Sequence, residues 1–156
     1  MLIRLTIGIV ASIIVAGCSP RQDAQKAPDA AEAKIYKSIP APTRDGVAMH
    51  ITEPDNGKLV AVVVDTTIQV DLIGVPTAGY MWSVVETPAF LEAAGDTSGP
   101  TSEAQFEPGF AGGSHWEVFF FKVTGPGEGV LRLENRPLMD EESPADEVFS
   151  VRITAG

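Results

Sequence analysis

Beyond residue 46 no patterned segment runs longer than a strand before proline, glycine or an Asx-type turn interrupts it. That punctuation excludes long helices and demands an architecture built from short paired strands. "TTIQVDLIG" (66–74) alternates, with Ile68, Val70 and Leu72 on one face and Gln69 and Asp71 on the other. "GVLRLEN" (129–135) sets Leu131 and Leu133 against Arg132 and Glu134, and "EVFSVRI" (147–153) points Phe149, Val151 and Ile153 inward. "KLVAVVVD" (58–65) and "YMWSVVE" (80–86) are further strands. "HWEVFFFKV" (115–123) is aromatic on both faces, as expected of a central strand buried on two sides or lying under a loop. "EPDNG" (53–57) and "TGPGEG" (124–129) are turns, and "PAFLEAAGD" (88–96) is expected to supply one helical turn. About six or seven such strands read as an all-β chain, an antiparallel β-sandwich.

The core must hold this fold unaided. The 156 residues include one cysteine, Cys18, so no internal disulfide forms. Twenty-one acidic residues face eleven basic ones, for a formal net charge of −10. A surface of that sign repels nucleic-acid phosphates and anionic lipid headgroups alike.

The N-terminus has a different character. In "MLIRLTIGIVASIIVAGC" a single charge, Arg4, precedes an apolar run from Leu5 to Gly17. That run is shorter than the roughly 20 residues that span a bilayer and has the length of a secretory signal's core. "VAGC" (15–18) resembles a bacterial lipobox, in which the cysteine thiol receives diacylglycerol before cleavage; a simple signal peptide with an incidental cysteine is the other reading. Residues 1–17 are therefore expected to be a signal peptide, and residues 18–45 a lipidated Cys18 followed by a flexible tether. The segment from Ser19 to Asp45 is rich in Ala, Pro and charge and too poor in large apolar groups to offset its ordering entropy. Ser19 after the cysteine resembles an outer-membrane sorting signal, so export and anchoring there are expected. Residues 46–156 form the folded domain.

No catalytic constellation emerges. With Cys18 committed to the lipobox, no thiol nucleophile remains. His50, in a polar opening strand, and His115, beside Trp116, show no metal-binding spacing and read as surface or packing residues. The acidic run "MDEESPADE" (139–147) matches no EF-hand and reads as a solvated loop, and no serine lies in a G-x-S-x-G setting. The chain is not expected to be an enzyme, nor to carry a metal or cofactor.

What stands out is three loops richer than turning a chain requires: "GVPTAGYMW" (74–82), "EPGFAGGSHW" (107–116) and "NRPLMDEESP" (135–144). Proline ends strand pairing, and glycine permits positive φ and close backbone approach, so such loops are narrow and stiff. In order and spacing, "VPTAGY" (75–80), "FAGG" (110–113) and "RPL" (136–138) resemble the motifs of the chagasin family, inhibitors of papain-like cysteine peptidases. The family pattern is Asn-Pro-Thr-Thr-Gly-Tyr/Phe, then Gly-x-Gly-Gly before an aromatic strand, then Arg-Pro-Trp/Phe. Pro76, Thr77, Gly79, Tyr80, Gly112, Gly113, Arg136 and Pro137 match directly. Val75 stands in place of Asn, Ala78 in place of Thr and Leu138 in place of the aromatic; Phe110, followed by Ala111, takes the first glycine unless Gly109 serves with an insertion.

The resemblance implies an immunoglobulin-like sandwich presenting the three loops side by side at one end. Loop 75–80 would enter the peptidase cleft over the catalytic cysteine, with loops 109–115 and 135–140 gripping either side, reversibly and without covalent chemistry. Tyr80, Phe110 and Trp116 then serve as aromatic anchors at or behind the contact and Arg136 as a planar donor fork, while Trp82 reads as core packing. The expected partners are a papain-like cysteine peptidase and, through the lipid on Cys18, a membrane, with the chain acting as a monomer. The alternative is a surface-anchored β-sandwich that uses the same loops to bind another protein or envelope component, or a purely structural envelope domain.

Overall fold

The computed structural model describes residues 36–140 and 143–156; the expected signal peptide, Cys18 and the first part of the tether lie outside the described residues. Eight strands follow in order: β1 Val47–Thr52, β2 Leu59–Val62, β3 Thr67–Gly74, β4 Tyr80–Glu86, β5 Leu91–Pro100, β6 His115–Val123, β7 Gly127–Pro137 and β8 Glu147–Ala155. They form two four-stranded sheets, ordered β1-β3-β6-β5 and β2-β8-β7-β4. Ile68, Val70 and Leu72 of β3 and Phe121 of β6 meet Leu131, Leu133, Phe149, Val151 and Ile153 of β7 and β8 in one buried core. Truncating a fully buried phenylalanine such as Phe149 to Ala is expected to cost about 3–5 kcal/mol.

Two features of the sheets depart from the sequence reading. Residues 88–96 form no helical turn: β5 runs from Leu91 to Pro100, paired antiparallel with β6. Its only buried side chain is Leu91, so its extended form comes from the backbone ladder of β6 rather than from its own propensity. A bulge between Ala93 and Asp96, with Gly95 at φ 107°, breaks the alternation that would have marked it. The sheets are also not wholly antiparallel, since β1 joins β3 and β2 joins β8 in parallel at their edges.

β6 is central, between β3 and β5, and is buried on both faces as its composition demands. What covers its outer face is residues 37–44, the end of the expected tether. Pro42 offers its carbonyl to Gln69 Nε2 at 3.1 Å, and the Arg44 guanidinium lies 5.3 Å from the Phe120 ring centroid, a cation–π contact. Gln69, on the outward face of β3, is thereby fully buried.

Strand register places the loops. Gly74 of β3 and Pro100 of β5 both face His115, the first residue of β6. In the other sheet Tyr80, the first residue of β4, faces Pro137, the last of β7. The segments that follow Gly74, Pro100 and Pro137 therefore leave the sandwich at the same end.

Candidate functional site

The first loop crosses between the sheets and is built as one turn of 3-10 helix, Pro76–Ala78. Proline suits that position because its fixed φ begins the turn and its missing N–H forfeits nothing. Ala78 N–H donates to the Val75 carbonyl and Gly79 N–H to that of Pro76, both at 2.9 Å. Gly79 then closes the turn in the left-handed region, at φ 84° and ψ 19°. A side chain there would be strained by the backbone alone, because no atom lies within 4 Å of an added Cβ.

Two bonds close the loop's neck. The Trp82 indole N–H donates to the Ile73 carbonyl at 2.9 Å, and the Trp82 backbone N–H donates to Glu117 Oε2 at 3.1 Å. Trp82 itself is 7% exposed, the packing residue its sequence context implied. The Glu117 carboxyl fits because Gly74 has no side chain: a Cβ at Gly74 would lie 2.1 Å from Oε1. Burial pushes the Glu117 pKa up from its ordinary 4.5, and the hydrogen bond from Trp82 opposes this only in part. Its Oε1 has no hydrogen-bond partner.

The flanking loops are tied to the first. Thr77 Oγ1 donates to the Gly113 carbonyl at 3.4 Å, and Leu138 N–H donates to the Gly79 carbonyl at 2.8 Å. The structure thus brings 75–80, 110–113 and 136–138 together as one surface. Thr77, Ala78, Ala111 and Gly112 are exposed on it, while Pro76, Gly79, Tyr80 and Gly113 are half-buried. Val75, Phe110 and Leu138, three of the positions that depart from the family pattern, expose 40%, 45% and 52% of their surface. Beside them Met139 is 96% exposed, an apolar contact candidate that sequence reasoning passed over within an acidic run. Trp116 is not at the loop tips; its ring packs over Gly99 on the outer sheet face, behind the second loop.

Arg136 occupies a different position from a free donor fork. Its Nε donates to Glu134 Oε2 at 2.7 Å, its Nη2 lies 2.5 Å from the same oxygen, and its Nη1 donates to the Ser143 carbonyl. Arg132 Nη2 meets the other Glu134 oxygen at 2.7 Å. The hydrogen bond from Arg136, aided by Arg132, holds the Glu134 carboxyl below its usual range. Arg136 therefore braces the third loop against β7. The rest of that loop carries Asp140, whose carboxylate accepts the Ser143 hydroxyl at 2.7 Å. Between the sheets behind the loops lies a cavity of about 430 Å³ lined by Tyr80, Trp82, Asn135, Val148 and Phe149 among others. Among the described residues no three His, Cys, Asp or Glu side chains cluster as metal ligands.

This arrangement presents a mostly apolar edge whose three segments are hydrogen-bonded to one another. Comparison with known proteins agrees with the geometry. The chain is similar in structure to the cysteine protease inhibitor EhICP2 from Entamoeba histolytica, at 15% identity and a TM-score of 0.58 over 71% of this chain and 100% of that one. It is also similar to amebosin, at 24% identity and a TM-score of 0.51 over 69% of this chain and 97% of that one. No curated protein sequence matches it. The family model described as Chagasin family peptidase inhibitor I42 matches residues 61–153, a span holding all three loops and seven of the eight strands in whole or part. The chain belongs to the chagasin family of peptidase inhibitors, a family of inhibitors rather than enzymes.

Proposed function

We propose that this chain inhibits a papain-like cysteine peptidase by seating residues 75–80 in the active-site cleft, with 109–115 and 135–140 resting on its two walls. The observation that carries the reading is the cross-bonded loop face, in which Thr77 is tied to Gly113 and Gly79 to Leu138. Loops already held in one arrangement lose little conformational entropy on docking, so more of their contact energy appears as affinity. Residues 75–80 include neither cysteine nor histidine, which fits reversible, non-covalent blockage. Phe110, Leu138 and Met139 supply apolar contact on the flanks, and Arg136 acts by bracing the third loop.

Hydrolysis of a fluorogenic peptide by papain tests this. The inhibitor should raise the apparent KM and leave kcat unchanged, and papain whose cleft is filled by a covalent peptide-like blocker should no longer bind. Equal binding to blocked and free enzyme would favour the other reading, a binding module using the same face without inhibition.

The proposal extends to location. Cys18 after "VAG" is the lipid attachment point, followed by a tether from the outer membrane. Incorporation of labelled palmitate into the parent but not into a Cys18→Ser chain tests it.

A further inference from the structure

Residues 37–44 precede the region that the family model matches, yet they are bonded into it. Ile39 N–H donates to the Thr101 carbonyl at 2.7 Å, Glu103 N–H donates to the Lys37 carbonyl at 3.0 Å, and Ser38 bridges Ser102 between them. Further along, His50 Nδ1 lies 3.0 Å from Asp71 Oδ2 and its Nε2 lies 3.3 Å from Thr43 Oγ1, which fastens the segment's far end to β1 and β3. The segment is a strap crossing the outer face of the sheet.

Its near end grips the base of the second loop. Thr101 and Ser102, clasped by the strap, donate their N–H groups to Gln105 Oε1 at 2.7 and 3.0 Å. Gln105 Nε2 in turn donates to the Ser114 carbonyl at 3.1 Å, and Thr101 Oγ1 donates to the same carbonyl at 2.9 Å. Gly113, the residue before Ser114, accepts at its carbonyl the hydroxyl of Thr77 at the inhibitory tip. Hydrogen bonds from the strap through Gln105 thus reach the Ser114 carbonyl, and the Gly113–Ser114 backbone links that point to the bond from Thr77 of the first loop.

We infer that the strap is a positioning element of the inhibitory face, holding 101–106 so that Gln105 sets the second loop against the first. A side-chain amide can join three backbone groups at fixed distances only while those groups are themselves held, and here the strap holds two of them. A chain cut down to 46–156 would keep the whole two-sheet core but lose this support. The functional half of the inference rests on the inhibitor reading; the structural half does not.

The test compares the full chain in detergent with Ile39→Pro, which deletes the N–H given to Thr101, with Ile39→Val, which keeps it, and with Gln105→Ala. Hydrogen exchange by mass spectrometry follows peptides over 101–106 and, as an internal reference, over the core strand 131–134. Papain inhibition is measured on the same samples. Ile39→Pro and Gln105→Ala should each speed exchange over 101–106 and raise the inhibition constant by about tenfold, the scale of one lost hydrogen bond. Core exchange should not change, and Ile39→Val should match the parent. Parent-like exchange over 101–106 in Ile39→Pro would overturn the inference, as would faster exchange with an unchanged inhibition constant. Should the parent itself fail to inhibit, the inhibitor reading falls while the exchange result still decides whether the strap holds the loop.

Discussion

Glu117 and Trp82 join the two sheets at the neck of the first loop: the carboxylate of one accepts the backbone N–H of the other at 3.1 Å, and Glu117 is 3% exposed. A buried carboxylate with one free oxygen holds the loop in place at a cost in stability. Because burial raises its pKa above 4.5, the folded chain binds this proton more readily than the unfolded chain. Its contribution therefore favours folding as pH falls through the raised value toward 4.5, and opposes folding above it.

Glu117→Gln keeps an oxygen to accept the Trp82 N–H and removes the buried charge. The variant should be more stable than the parent at pH 7 by about 1 kcal/mol, with the gap narrowing on acidification. Urea unfolding at pH 7, 6 and 5 checks this. A variant less stable than the parent at pH 7 would mean that the charge itself is needed.

Glu134 has the opposite sign. Arg136 and Arg132 depress its pKa, so its stabilisation is present above the ordinary 4.5 and is lost as pH falls through the lowered value. Glu134→Gln should flatten that acid-side loss and, by loosening Arg136, free the third loop and speed dissociation from the peptidase. Acid unfolding curves and dissociation rates measured at pH 7 read the two effects separately.

Trp82→Phe leaves a ring in the core but takes away the donor to the Ile73 carbonyl. The expected cost is about 1–2 kcal/mol in stability. Weaker inhibition should accompany it, because the neck then rests on the Glu117 contact alone. Thermal unfolding together with an inhibition constant on the folded variant tests both parts.

Leu138, half exposed and bonded through its N–H to Gly79, stands where the family pattern has an aromatic. Leu138→Ala should weaken inhibition about tenfold, and Leu138→Trp should strengthen it by a similar factor through slower dissociation. Stopped-assay dissociation rates for the two variants separate a contact residue from a bystander.

Legibility in the sequence followed the strength of side-chain alternation. β3, β7 and β8 were readable because Ile68, Val70, Leu72, Leu131, Leu133, Phe149, Val151 and Ile153 recur at period two and all end up buried. β5 was not, since beyond Leu91 it has no fully buried side chain and carries glycine and a bulge. The shape of the first loop was legible through Pro76 and Gly79, which encode its 3-10 turn and left-handed close directly. Glu117 was hidden, because an acid within an aromatic strand reads as a solvent-facing alternate until Trp82 is seen donating to it. The strap was hidden too: Pro, Ala and charge in 37–44 have a tether's composition, and only pairing with 101–103 distinguishes the two. The contacts of Arg136 were not legible, since nothing in "NRP" says that Glu134 and Ser143 will engage its guanidinium.

Inhibition depends on the shape of the Gly79 turn. Its most direct measurement is a titration of papain and a cathepsin L-type enzyme with the detergent-solubilised full chain and with Gly79→Glu, both shown to be folded by circular dichroism. Gly79 sits at φ 84° with open space around it, so the substitution distorts the tip and leaves the core alone. The parent should inhibit, and the variant should lose at least about a hundredfold. Equal inhibition by both chains, or none by a folded parent at micromolar concentration, would contradict that dependence.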